Sequence, residues 1–266
     1  MEFSKVIFMT DLDGTLLTDD KRILDADMEA IERFRAGGGL FTLATGRGYS
    51  MTRRVAEELR LDIPAVLYNG AAVYDFKADR FLWQCEIGSQ AREYIRRLAE
   101  LFPGKVGIEV LHKKAVFVPF LNDVEQEHLD MESVIPDLRE LDEIPEGEWL
   151  KFVVAAKPEV LDEVERAVTD FSDAQWVRSS PVYFECLPYG VDKSRGFAEL
   201  IGILGADSRF TVAAGDFMND TAMIKKADLG CAVASARETV KAAADIVVCD
   251  NNSGAIAEII NYIEKM

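Results

Sequence analysis

A short apolar run, Val6-Ile7-Phe8-Met9-Thr10, breaks directly into Asp11-Leu12-Asp13-Gly14-Thr15. The run is rich in strand formers and reads as a strand buried on both faces. Two carboxylates one residue apart at the C-terminal end of such a strand sit where open α/β sheets bind their ligands. Gly14 lets the chain turn sharply, and the turn can present backbone N–H groups to an anion. Acids this close repel each other unless a cation or a shared proton relieves them. The pattern therefore demands a metal ion, or a proton held on one of the pair. In isolation the pentapeptide is also compatible with a plain polar turn, since Asp and Gly are common turn residues.

The rest of the first third alternates strand and helix. A helix is predicted over 25–36, with Met28, Ile31 and Phe34 at three-residue spacing and Gly37-Gly38-Gly39 ending it. A buried strand over 40–44 precedes Thr45-Gly46-Arg47-Gly48 and a helix over about 50–60; a third strand over 65–68 ends at Asn69-Gly70. Strands separated by helices of this length imply a parallel sheet with right-handed crossovers.

From about residue 84 the texture changes. A hairpin-like pair over 72–87 leads to a helix over 90–101, strands over 106–111 and 115–118, and a polar acidic stretch over 122–148. A strand over 150–155, a helix over 158–170 and strands near 175–177 and 183–186 follow. Helices mixed with pairs of adjacent strands predict an α+β module with an antiparallel sheet. After Pro188 the alternation resumes, with a helix over 193–204, strands over 210–214, 230–233 and 246–248, and a closing helix over 255–263. The expected fold is α/β: a Rossmann-like parallel-sheet core with helices on both faces, residues 1–83 and 187–266, interrupted by an inserted α+β domain, residues 84–186.

A formal net charge of −17 argues against nucleic acid and anionic membrane surfaces as partners, and means that any anionic substrate needs locally concentrated positive charge. No apolar segment approaches membrane-spanning length and no signal-peptide pattern opens the chain, so a cytoplasmic protein is expected. Cys85, Cys186, Cys231 and Cys249 form no CxxC and lack His neighbours at ligand spacing, which predicts reduced thiols. His112 and His128 have no surrounding acids in a triad-like pattern and are expected at the surface.

The second informative stretch is Gly215-Asp216-Phe217-Met218-Asn219-Asp220. Asp216 follows a buried strand as Asp11 does, and Asp220 lies one turn later if a helix begins here. Acids from two strand ends suit a hard cation such as Mg²⁺ with oxygen ligands. Helix capping accounts for one of these residues but not for the repeated strand-then-acid pattern. Thr45-Gly46-Arg47 offers a hydroxyl and small-residue amides to phosphate oxygens, or simply caps a helix. Lys193 in isolation reads as a solvated lysine, and so do Lys113, Lys114 and Lys151.

In this order, Asp11-Leu12-Asp13-Gly14-Thr15, Thr45-Gly46-Arg47, Lys193 and Gly215-Asp216 through Asp220, the chain resembles the haloacid dehalogenase superfamily, and the long insertion looks like the larger cap of its Cof-type sugar-phosphatase subgroup. The resemblance covers essentially the full chain. It implies a Mg²⁺-dependent phosphatase acting on a small phosphorylated metabolite, a sugar phosphate, through an aspartyl-phosphate. Asp11 would be the nucleophile and Asp13 the general acid and then base. The carboxylates of Asp11 and Asp216 and the backbone carbonyl of Asp13 would hold the metal, with Asp220 holding metal-bound waters. Leu12, Thr45, Gly46, Lys193 and Asn219 would bind the phosphoryl group, with Arg47 counted beside them. A phosphomutase uses the same Asp pair and stays open as an alternative. So does a receiver-type phospho-ligand-binding module, although such a module needs neither a lid nor Asp13. Monomer and homodimer are both compatible with the sequence.

Overall fold

The computed structural model describes residues 1–132, 134–171 and 174–266. The chain opens with β1 (Val6–Thr10), α1 (Asp25–Ala36), β2 (Leu40–Leu43), α2 (Tyr49–Glu58), β3 (Ala65–Leu67), β4 (Ala72–Asp75) and β5 (Arg80–Gln84). Then come α3 (Ala91–Leu101), β6 (Gly107–His112), β7 (Ala115–Phe120), α4 (Asp123–Glu132), β8 (Trp149–Ala155), α5 (Pro158–Ala167), β9 (Ala174–Arg178) and β10 (Tyr183–Pro188). It closes with α6 (Lys193–Leu204), β11 (Phe210–Gly215), α7 (Thr221–Lys226), β12 (Leu229–Val233), α8 (Glu238–Lys241), β13 (Ile246–Val248) and α9 (Ala255–Lys265). Among the described residues no helix is long and apolar enough to cross a membrane.

Two compact units emerge: Met1–Gly46, Arg54–Trp83 and Asp192–Met266 form one, and Arg47–Arg53 with Gln84–Val191 the other. The sequence boundary after residue 186 falls inside β10, whose Pro188 still pairs with Ala174 of β9, so the α+β unit keeps the chain through Val191. It also gathers Arg47–Arg53, where the Lys114 ammonium lies 4.4 Å from the Tyr49 ring centre.

The first unit is built on a parallel sheet of order β13-β12-β11-β1-β2. β1 has parallel neighbours on both sides, which is why every residue of Val6–Thr10 is buried. A bridge between Ala44 and Val66 brings β3 alongside β2, and β3, β4 and β5 form a small sheet of their own. Side chains alternate across β1. Ile7 and Met9 pack with Phe197 and Leu200 of α6 and Met223 of α7, while Phe8 meets Phe34 of α1 and Phe41 edge-on. Burying each of these aromatic rings contributes about 1.5–3 kcal/mol. Helices thus cover both faces, as the fold class requires.

The second unit is an antiparallel sheet of order β7-β6-β8-β10-β9. One face, with Ile108, Val110, Phe152, Val154 and Phe184, is covered by Ile95 and Leu98 of α3 and Leu161 and Val164 of α5. The alternating positions Glu109, Lys151 and Glu185 take the opposite face. Lys151, expected as a solvated lysine, is instead buried, its Nζ 2.7 Å from Glu185 Oε2. The stretch expected to be merely polar and acidic begins with α4, where Asn122 Oδ1 caps the helix by accepting from Glu125 N at 2.8 Å. His112 and His128, expected at the surface, are half-buried against the rings of Phe117 and Tyr183. Among the described residues Cys186 and Cys231 are buried, and Cys85 and Cys249 are half-buried.

Candidate active site

Thr10 pairs with Ala214 on one side and Leu43 on the other, so β1, β11 and β2 end level. That register delivers Asp11, Asp216 and Thr45 to the same edge of the sheet, the edge where a parallel sheet presents its ligand site. Lys193 arrives from the start of α6, whose N-cap Asp192 accepts from Arg195 N at 2.9 Å. Gly70, at φ +100°, makes this approach possible: a Cβ there would lie 1.9 Å from the Asp192 carbonyl oxygen. A lysine at the first residue of a helix sits against the positive end of the helix dipole. Lys193 is also 1% exposed, so nearby acids must stabilise its charge. Its Nζ donates to Asp11 Oδ1 at 2.5 Å and to Asp220 Oδ1 at 2.6 Å.

Asp220 is oriented by its other oxygen, which accepts from Asp216 N and Phe217 N, each at 3.1 Å. Asp216 Oδ1 accepts from Thr15 Oγ1 at 3.2 Å. Gly14, at φ +80°, lets this carboxylate come close, since a Cβ there would lie 2.7 Å from Asp216 Oδ2. Oxygens of Asp11, Asp216 and Asp220 all lie within 4.8 Å of one another.

Burial, reinforced by Asp220, Asp216 and Asp13, lifts the Asp11 carboxyl well above the usual carboxylate range, against the pull of Lys193. Burial and Asp220 push Asp216 up to about 7. Burial opposes the charge on Lys193, but Asp11 and Asp220 outweigh it and hold the ammonium above its ordinary pKa. Three carboxylates facing one ammonium leave excess negative charge among hard oxygen donors. The acidic cluster can hold a metal ion, and its donors fit a hard divalent cation.

A second polar group lies beside the first. Asn219 Nδ2 donates to Asn69 Oδ1 at 2.9 Å, and Asn69 N donates to Thr45 O at 3.0 Å. Gly46 lies against the same amide: a Cβ on it would be 3.1 Å from Asn69 Nδ2. The structure thus joins Asp11, Lys193, Asp216 and Asp220 in one cluster, and Thr45, Gly46 and Asn219 around Asn69.

Other expected site residues are arranged differently. Asp13 is outside the three-acid cluster, its Oδ1 instead accepting from Lys21 Nζ at 2.5 Å. The Leu12 side chain is in the core, and its carbonyl accepts from Thr15 N, Leu16 N and Leu17 N, closing a tight turn. Arg47 falls with the second unit, where its Nη1 lies 3.4 Å from Met51 O.

Thr15, Asn69 and Lys21 were absent from the expected set. Asn69-Gly70 shares the strand-end position that made Asp11 conspicuous, and Thr15 stands inside the pentapeptide itself. Lys21 has no local signal.

The family model for haloacid dehalogenase-like hydrolases matches residues 8–260. The chain belongs to that family. This haloacid dehalogenase-like hydrolase is similar to 5-amino-6-(5-phospho-D-ribitylamino)uracil phosphatase YcsE of Bacillus subtilis (strain 168), 27% identical over 253 residues covering 95% of this chain and 93% of the relative. It is similar also to pyridoxal phosphate phosphatase YbhA of Escherichia coli (strain K12), 26% identical over 278 residues covering 96% and 97%. The solved structure of BT4131, a sugar phosphatase of HAD subclass IIB, matches with a TM-score of 0.85 over 98% of this chain and 100% of that one; at 23% identity it shows the shared fold. The superfamily and Cof type implied by the motifs are those found, and the haloacid dehalogenase-like hydrolase is an enzyme of the phosphoric monoester hydrolase class.

Proposed function

We propose that this hydrolase is a Mg²⁺-dependent phosphatase of the cytoplasm that cleaves a small phosphorylated metabolite, a sugar phosphate, through an aspartyl-phosphate on Asp11. The observation that carries the reading is the buried Asp11–Lys193–Asp220 bridge, with Asp216 beside it at the end of the adjacent strand. A carboxylate nucleophile cannot approach a phosphate dianion until the charge between them is neutralised. Lys193 supplies one fixed positive charge. Asp11 and Asp216, with the Asp13 carbonyl and with Asp220 behind them, would hold the divalent ion, which supplies further neutralisation of the phosphoryl oxygens. The inserted α+β unit, 84–186 by sequence, is assigned as the family's cap domain.

In the first displacement an oxygen of Asp11 bonds to phosphorus as the bond to the ester oxygen breaks, and Asp13 gives its proton to the departing alcohol. In the second, water bonds to phosphorus, its proton goes to Asp13, and the Asp11 carboxylate is released with inorganic phosphate. Thr45, Gly46, Lys193, Asn219 and the Leu12 amide orient the phosphoryl oxygens. The relatives' named substrates differ but share a phosphate monoester, and that of YcsE carries it on a ribityl chain, which supports a sugar-like substrate.

The test is phosphate release over a panel of hexose, pentose, nucleotide and cofactor phosphates with Mg²⁺ present. Asp11→Asn should lower kcat by about 10³-fold or more on whichever ester is turned over. Full turnover by a folded D11N protein refutes the mechanism. An isomerised sugar phosphate in place of inorganic phosphate assigns a mutase.

A further inference from the structure

The chain between β3 and β4 runs through three successive left-handed residues: Tyr68, Asn69 and Gly70 have φ 54°, 54° and 100°. Such backbone is unfavourable for a tyrosine and persists only where surrounding contacts over-determine it. The contacts here are with the segments that carry the expected phosphate-binding residues. Asn69 N donates to Thr45 O and Thr45 N to Val66 O, each at 3.0 Å, lacing the end of β3 to the end of β2. A Cβ on Gly46 would lie 3.1 Å from Asn69 Nδ2. A Cβ on Gly70 would lie 2.9 Å from Lys193 N, so the turn also abuts the first residue of α6.

Asn219 completes the set. It is the residue before Asp220, whose Oδ1 takes the Lys193 ammonium at 2.6 Å, so its side chain starts at the edge of the charged cluster. Its Nδ2 donates to Asn69 Oδ1 at 2.9 Å. Its Oδ1 is buried and has no hydrogen-bond partner among the described residues. The Asn69 bond is therefore what fixes the amide plane, since the terminal torsion of such a side chain is otherwise broad. Nδ2 carries two N–H groups, and the Asn69 bond uses one. Asn69 itself is 1% exposed, a support for Asn219 rather than a surface for substrate.

We propose that Asn69 is a positioning residue for phosphoryl binding: by accepting from Asn219 Nδ2 it aims the second N–H of that amide at a phosphoryl oxygen. Its left-handed turn keeps Asn219 in register with Thr45, Gly46 and Lys193. The inference rests on the reading of Asn219 as a phosphoryl-binding residue given above. Asparagine suits the place twice over, because its short amide tolerates left-handed backbone and supplies a fixed acceptor. Losing that acceptor frees the Asn219 amide to rotate, and the binding that depended on its aim goes with it.

The test is a double-mutant cycle in the full chain with Mg²⁺, on whichever ester of the phosphate-release panel is turned over fastest. Asn69→Gly removes the acceptor while glycine keeps the left-handed backbone. It should lower kcat/KM about tenfold, mostly through KM, and raise the inhibition constant of inorganic phosphate about fivefold. Asn219→Ala should lower kcat/KM at least as far. In the N219A background N69G should cost less than about twofold, because the residue it acts through is gone. N69S, whose hydroxyl falls one bond short of Asn219, runs the same cycle should N69G not fold. Losses that multiply across the cycle, a fall in kcat with KM unchanged, or wild-type kinetics in the Asn69 variant overturn the proposal while N219A stays impaired. If N219A binds phosphate and turns over as the wild type does, the reading of Asn219 falls and the role of Asn69 with it. D11N activity tests the aspartyl-phosphate step apart from both.

Discussion

Each unit of the molecule buries charge, and the two do so in opposite ways. In the first, Asp11, Asp216 and Asp220 gather with Lys193 at the end of a parallel sheet, where several chain segments terminate together. In the second, Lys151 and Glu185 pair across the flat of an antiparallel sheet, and Glu125 is buried with both carboxylate oxygens lacking a hydrogen-bond partner among the described residues. A sheet face lets a charge find a lateral neighbour and little else. A strand end adds unpaired backbone N–H groups, such as those of Asp216 and Phe217 on Asp220, and brings in donors far apart in sequence. The same expense of desolvation therefore yields a reactive cluster in one place and a structural pair in the other.

Three substitutions test this contrast, the largest effect first. Lys193→Met should cut turnover by about 10³-fold and, in unfolding experiments, cost about 3–5 kcal/mol by leaving buried acids uncompensated. Unchanged stability would mean that Lys193 is not their counter-charge. Lys151→Met should cost a similar 3–5 kcal/mol in urea unfolding. Here K151M/E185L should regain most of the loss, because an apolar pair of comparable volume can replace a buried ion pair on a sheet face; failure to regain it would assign the pair more than a structural role.

The third concerns pH. Burial, with Glu109 alongside, pushes Glu125 up to about 9, so the folded protein holds a proton there that the unfolded chain gives up near the ordinary value of 4.5. An acid raised in this way contributes fully below about pH 4.5, and the contribution is lost as pH climbs toward 9. Glu125→Gln removes that loss. Thermal unfolding should show the wild type falling relative to E125Q between pH 5 and 9, with a gap of about 5 °C or more at the alkaline end. Parallel curves would mean that Glu125 is ionised in the folded state.

The strand-end chemistry was legible because its signals are local. Asp11 and Asp216 each follow a buried strand directly, and the order of motifs then singled out Lys193 among many lysines. The residues that escaped notice depend on contacts no local pattern encodes. Lys21 meets Asp13 from a turn tied down by Asn251, and Lys151 is buried because of which face of β8 is covered. Asn69 reads in the sequence only as the end of a strand, yet its left-handed backbone and its bond to Asn219 make it the hub of the second polar group. α4 reads in the sequence only as part of a polar acidic stretch because Glu125 stands among its few buried positions, so apolar periodicity is lost.

The pairing of Val6 with Phe210 has a consequence for how the molecule is made. Strand β1 leaves the ribosome with one flank unmatched until about 200 further residues have been translated. All the strands of the antiparallel sheet lie within that interval, so that sheet can close while its parallel counterpart still waits. Vectorial synthesis thus leaves a fully buried strand with a raw edge through that interval, the period in which intermolecular strand pairing and chaperone capture compete with native assembly.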